Sequence, residues 1–130
     1  MRNERLEAFE ATLTGVLHEI DRALEAQYGA TLLRHPARPA EGITANPQYD
    51  GLFAVIANFS AGIGSQFGPG YTFDLRIATL SNVNPELREA CEMLMVEMLR
   101  KRIPEVFPDR ELHVERDRHG WKLFGDLSLN

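Results

Sequence analysis

The sequence predicts a single α+β domain over residues 1–130, with a small antiparallel or mixed sheet of about four strands packed against two helices. The order is helix, strand, strand, helix, strand, strand. Three observations carry this. Leu6, Phe9, Leu13, Val16, Leu17, Ile20 and Leu24 recur at steps of three and four, as on one face of a helix. Tyr71, Phe73, Leu75 and Ile77 alternate with Thr72, Asp74 and Arg76, as on a strand with one wet face. Asn84-Pro85-Glu86 then opens a second apolar helix, with a side-chain cap, a proline at the first helical position and an acid at the positive end of the dipole.

The first helix is predicted over 3–28. Glu7, Glu10, Glu19, Asp21, Arg22 and Glu25 form its solvated face, and Gly29 ends it in a left-handed conformation. Residues 29–50 form a long connection, because Pro36, Pro39 and Pro47 forbid a regular helix and punctuate any strand. Ala30–Leu33 allows a short edge strand. The rest is either a loose surface loop or an arm that orders against a neighbouring subunit.

Residues 51–80 are predicted to form a hairpin. Leu52-Phe-Ala-Val-Ile-Ala-Asn-Phe59 is apolar at both parities, which suits a strand covered on both faces. The half-wet strand from Tyr71 pairs with it, and the glycine-rich segment 61–70 forms the tip. The second helix is predicted over 84–103, with Arg100-Lys101-Arg102 complementing its negative end and Pro104 forcing a stop. Leu87, Ala90, Cys91, Leu94, Met95, Met98 and Leu99 form its main stripe. Met93 and Val96 widen that stripe nearly all the way round, so this helix needs a second covering surface: the long loop, the first helix, or another subunit. Residues 111–129 form a terminal hairpin turning at Asp117-Arg-His-Gly120, with Trp121, Leu123, Leu127 and Leu129 towards the core.

Composition narrows the function. With 44% hydrophobic and 25% charged residues the chain has an ordinary globular balance. A formal charge of -5 argues against general nucleic-acid binding. No apolar run is long enough to span a bilayer, and the charged start is unlike a signal peptide. Cys91 is the one cysteine, which leaves no internal disulfide and no thiolate cluster and makes synthesis in the cytoplasm the default.

The glycine-rich segment Ala61-Gly-Ile-Gly-Ser-Gln-Phe-Gly-Pro-Gly70 holds four of the ten glycines. It fails as a dinucleotide cradle: counting from Gly62, Phe67 takes the third glycine's place, and a strand rather than a helix follows. No Walker triplet occurs. The expectation is a mobile hairpin tip carrying Ile63 and Phe67 outward to touch a partner.

The remaining chemical candidates are sparse. His18 lies at the edge of the first apolar stripe, His35 in the long loop and His119 in a turn. His113 and Glu115 share a strand face, but no third metal ligand accompanies them at a telling spacing. Cys91 sits on an apolar stripe as a small hydrophobe. Ser60 and Ser65 lack the nucleophile elbow. Asp74 and Arg76 could meet a charged substrate or pair with other charges, and Glu115, Asp117 and Asp126 could flank a cleft. No cofactor and no metal is expected.

The Tyr71-Thr-Phe-Asp-Leu-Arg-Ile77 strand, its glycine-rich tip and the Asn84-Pro-Glu-Leu87 helix start, in this order of elements, resemble the tail-terminator and head-to-tail joining proteins of tailed bacteriophages. The resemblance covers residues 50–103 best, and no family residue transfers position by position. It implies a non-enzymatic virion structural protein forming a ring, commonly a hexamer, at the tail end or head–tail junction. Loops and arms would contact neighbouring tail or connector proteins. Under it Ile63, Phe67, Met93 and Val96 are the subunit-contact residues, and the protein passes from the cytoplasm into the virion. The alternatives are a small bacterial cytosolic enzyme or ligand-binding domain, able to dimerise, with a pocket between sheet and helices near Asp74, Arg76 or His113, or a small adaptor that forms no ring.

Overall fold

The structure, a computed structural model, describes residues 3–33, 36–44, 50–118 and 120–128. Helix α1 spans Glu4–Tyr28, strands β1 and β2 span Phe53–Ser60 and Gly70–Ile77, helix α2 spans Pro85–Val106, and β3 and β4 span Leu112–Asp117 and Gly120–Gly125. The four strands form one antiparallel sheet in the order β1-β2-β4-β3. This is the expected α+β architecture, with the two hairpins joined through β2 and β4.

Asn3 caps α1 by accepting the N–H groups of Arg5 and Leu6 at 2.8 and 3.2 Å. Phe9, Leu13, Val16, Leu17, Ile20 and Leu24 are buried on the face the periodicity marks. Fully burying a side chain of this size contributes about 1.5–3 kcal/mol, so this stripe decides where the helix lies. Gly29 departs from expectation. It is right-handed (φ -58°) and begins a 3-10 turn, Gly29–Thr31, where a strand had been allowed. A Cβ there would stand 3.2 Å from the Glu25 side chain, which would have to yield by a few tenths of an ångström.

β1 and β2 pair along their whole length, from Phe53 opposite Ile77 to Ser60 opposite Gly70. β1 is an edge strand, and only its first half is covered on both faces. β2 meets β4 through Gly70–Thr72 alone. A Cβ on Gly70 would sit 2.2 Å from the Leu123 carbonyl oxygen, so glycine lets the hairpins join. Past that junction, Arg88 of α2 donates to the unpaired Leu75 carbonyl at 2.9 Å.

Asn84 accepts the Leu87 N–H at 2.7 Å and starts α2 as expected. The helix outruns its predicted end at 103. Pro104 is inside its last turn and gives up one backbone hydrogen bond, while Phe107 closes the helix by donating to Ile103. Its second covering surface lies within the chain, with α1 on one side and β3 on the other. Val96 is therefore a core residue at 1% exposure, which removes it from the expected contact set, whereas Met93 stays exposed.

Phe53, Val55, Tyr71, Phe73, Leu75, Leu123 and Val114 join the helix stripes in one core. β4 ends at Gly125, four residues before the predicted boundary, and Leu127 still packs on the core. The expectations for His35, His119 and Leu129 fall outside the described residues.

Candidate interaction site at the hairpin tip

The tip is folded back onto the sheet. Gly62, Gly64 and Gly68 adopt φ of 89°, 77° and 74°, which turns the segment onto the sheet face away from the helices. A Cβ on Gly62 would collide with the Gly68 carbonyl carbon at 2.3 Å. Phe67 does not point outward as expected: its ring stacks on Phe124 of β4 with centroids 4.3 Å apart and planes 7° from parallel. Beside that stack, the almost fully buried Lys122 donates to the Gly68 carbonyl and, at 3.0 Å, to Ser65 Oγ. The Ser65 hydroxyl donates to Asp117 Oδ2 at 2.8 Å and accepts the Phe67 N–H at 3.1 Å. A buried ammonium held by fixed acceptors in a low-dielectric site locks the tip in one geometry.

This lock presents Ile63 at 92% exposure. Phe59, four residues earlier, is 64% exposed and meets Tyr71 edge-on at 5.7 Å. Phe59 also borders a cleft of about 440 Å³ lined with Leu6, Phe9, Glu10, Tyr71 and Leu127. Phe9 forms its floor, stacked on Phe107 at 4.5 Å and covered by the Arg110 guanidinium at 5.1 Å. Arg110 donates to the carbonyls of Asp126 and Ser128, which holds Leu127 in place as a wall. The Tyr71 hydroxyl donates to Glu10 Oε2 at 3.1 Å; burial, then the Glu10 carboxylate, pushes its pKa up to about 12, so it remains a donor. A large apolar hollow with one polar corner suits an apolar side chain or small ligand.

A second polar cluster lies at the other end of β1. Asp50 is buried and accepts from the N–H groups of Gly42 and Thr44, the Thr44 hydroxyl and Arg22, at 3.0–3.1 Å. Burial works to raise its pKa, but the Thr44 and Arg22 hydrogen bonds outweigh it and hold the carboxyl below its ordinary value. Arg38 donates to the carbonyls of Asp50 and Gly51. Around these residues the described part of the long connection is ordered against its own domain. Asp21 and Glu25, placed by the sequence on the solvated face, instead accept the N–H groups of Val55 and Leu52.

The remaining candidates are not brought together. Asp74 and Arg76 pair with each other at 3.2 Å on the outer sheet face. Arg76 and His113 border two different shallow grooves. Glu115 pairs with Arg100, while Asp126 accepts the Ser128 N–H. Arg100 and Arg102 are not in the last turn of α2; Arg100 binds β3, and Arg102 binds Glu19 and Glu105. Cys91 is fully buried, and that burial pushes its thiol up. Among the described residues there is no cluster of metal-binding side chains and no helix long and apolar enough to cross a membrane.

Sequence reasoning missed Phe59, Asp21, Asp50 and Lys122. Asp21 lies four residues from Leu17 and three from Leu24, a spacing that places it on the buried face. Lys122 carries no comparable signal, because only the folded tip buries it.

Residues 4–125 match a protein family whose description reads "Uncharacterised protein". The chain belongs to this family. The matched span runs from the first residue of α1 to the last of β4, so the family's unit is the whole α-β-β-α-β-β fold. A protein of Borreliella burgdorferi, also described as uncharacterized, is 33% identical over 125 residues, covering 96% of this chain and 98% of that relative. No solved structure matches the chain.

Proposed function

We propose that the protein is a non-enzymatic assembly subunit, of the ring-forming kind that phages place at the tail end or the head–tail junction. The observation that carries this reading is Ile63, held almost fully exposed on a tip that the Lys122–Ser65 contact and the Phe67–Phe124 stack fasten to the sheet. A rigid apolar knob loses little entropy on docking. At the same end of the sheet but on its opposite, helix-covered face, Phe59 and the aromatic cleft add a separate exposed apolar surface. The resemblance in element order supplies the kind of assembly.

Light scattering and electron microscopy test the proposal. The expected result is closed rings larger than a dimer, or attachment to tail tubes, with both abolished in Ile63→Asp while the fold is kept. A strict monomer at high concentration that ignores tail tubes rejects it.

The cleft favours a second reading, a ligand-binding domain. In that case small aromatic molecules stabilise the protein thermally and Phe59→Ala removes the effect, while Asp74→Ala and Arg76→Ala do not.

A further inference from the structure

The fold leaves strand edges open, and charged helix side chains cover them. Asp21 takes the Val55 N–H on β1, Arg88 the Leu75 carbonyl on β2, and Arg100 the Val114 carbonyl on β3. β3 presents the clearest pattern of charge along its outward edge. Asp126 donates to Glu111, so residues 111, 113, 115 and 117 face β4, and the N–H and C=O groups of Leu112, Val114 and Arg116 point away from it. Among the described residues, Arg100 is the side chain that reaches this row. It does so from a half-exposed position, and it also holds Glu115 at 3.2 Å and lies over Trp121 at 5.4 Å.

We propose that this edge of β3 pairs antiparallel with β3 of a second copy about a two-fold axis at Val114. Charge selects both the partner and the register. Only residues whose backbone groups point outward can exchange hydrogen bonds, so the two-fold must fall on residue 113, 114 or 115 or a position further out. Centred on 114, His113 stands opposite Glu115 of the second copy, twice, around a Val114–Val114 pair. Centred on 115, Glu115 meets Glu115, and His113 meets Asp117, which Ser65 already holds. Centred on 113, His113 meets His113 and Glu111 meets Glu115. His113 and Glu115 are both about half exposed, and pairing across the axis would exchange the Glu111 neighbour of His113 and the Arg100 neighbour of Glu115 for each other. In the favoured register the outermost pair is Glu111 with Asp117, and Asp117 is held back by Ser65. Arg100 acts as the gate: it must leave Val114 for the central hydrogen bonds to form, and it can stay on Trp121 as it does so.

This pairing is independent of the ring reading and uses the opposite edge of the sheet from β1. Sedimentation velocity over a range of concentrations tests it. The wild type should dimerise reversibly. Arg116→Pro removes an outward N–H without touching the β3–β4 ladder and should weaken the dimer about tenfold or more, as expected for lost inter-strand hydrogen bonds. Arg100→Ala should tighten it, and Ile63→Asp should leave it unchanged. His113→Glu should weaken the dimer and His113→Glu with Glu115→Lys should restore it, which controls for any folding defect in the proline variant. A mixture of His113→Cys and Glu115→Cys chains should form a disulfide-linked dimer that neither forms alone, since Cys91 is buried. A monomer at every concentration in both wild type and Arg100→Ala overturns the proposal. So does a dimer that is indifferent to Arg116→Pro, or cross-linking that does not need the mixture.

Discussion

Asp21 of α1, 3% exposed, accepts the backbone N–H of Val55 at 2.7 Å, and its second oxygen has no hydrogen-bond partner among the described residues. Burial drives its pKa up to about 7, against the pull of the Val55 N–H, Arg22 and Arg38. The folded state thus favours the protonated carboxyl. This group's contribution to stability is complete below the unfolded value near 3.8 and is lost as pH rises through about 7. Glu25, raised mainly by burial, acts in the same direction, whereas Asp50, held low, loses its contribution only in acid. Asp21→Asn keeps an acceptor for Val55 but cannot ionise. The stability gap between wild type and this variant should therefore shift by on the order of 1–2 kcal/mol between pH 5.5 and 8, with the wild type relatively weaker at pH 8. Urea titrations at both pH values measure it, and a pH-independent gap refutes the assignment.

What could be read from the sequence follows a physical division. The stripe from Leu6 to Leu24, the alternation from Tyr71 to Ile77 and the Asn84-Pro85 start are local patterns, and each fixed its element to within a few residues. Lys122, Phe67 and Asp50 depend on chain segments meeting across the fold. Phe67 reads as exposed because glycine surrounds it, and only the approach of Phe124 buries its face. Val96 reads as surplus apolar surface because no local pattern shows that α1 and β3 both flank α2. Ile63 was legible, since it has no apolar neighbour in sequence to pack against.

Asp50 is the anchor of the long connection. Removing its carboxylate takes the shared acceptor from the Gly42 and Thr44 donors and leaves the Arg22 guanidinium the more distant Glu41 carboxylate, at 3.7 Å. Asp50→Ala should cost about 2–4 kcal/mol, the usual scale for breaking a buried charge network. Limited proteolysis should then cut between Pro36 and Thr44, where the wild type resists. Asp50→Asn retains part of the bonding and should fall between the two.

The junction of the two hairpins depends on one missing Cβ. Gly70→Ala places a carbon against the Leu123 carbonyl, where both partners are backbone and neither can rotate away. Strand separation or local rearrangement should cost roughly 1–3 kcal/mol, the range for overpacking. Denaturant unfolding gives the loss. Amide exchange should place the earliest opening at Gly70–Thr72 and Lys122–Phe124, and a uniform loss of protection counts against the junction as the weak point.

Lys122 tests whether the rigidity of the tip matters as much as its apolar surface. Lys122→Met keeps the length of the stem and its packing but removes the ammonium that joins Ser65 to the Gly68 carbonyl. With that link gone, Phe67 still has Phe124 to stack on, so the tip should loosen without detaching from the sheet. Global stability should fall by about 1–3 kcal/mol, as for other lost hydrogen bonds to a charged group, and protease sensitivity should appear at Ile63–Gln66. Ile63 itself is unchanged in this variant. Under the assembly reading, oligomerisation should therefore weaken through the added cost of ordering the tip, and Ser65→Ala should weaken it in the same direction by less. Equal assembly by wild type and Lys122→Met, despite a protease-sensitive tip, would mean that Ile63 contacts its neighbour without needing the lock.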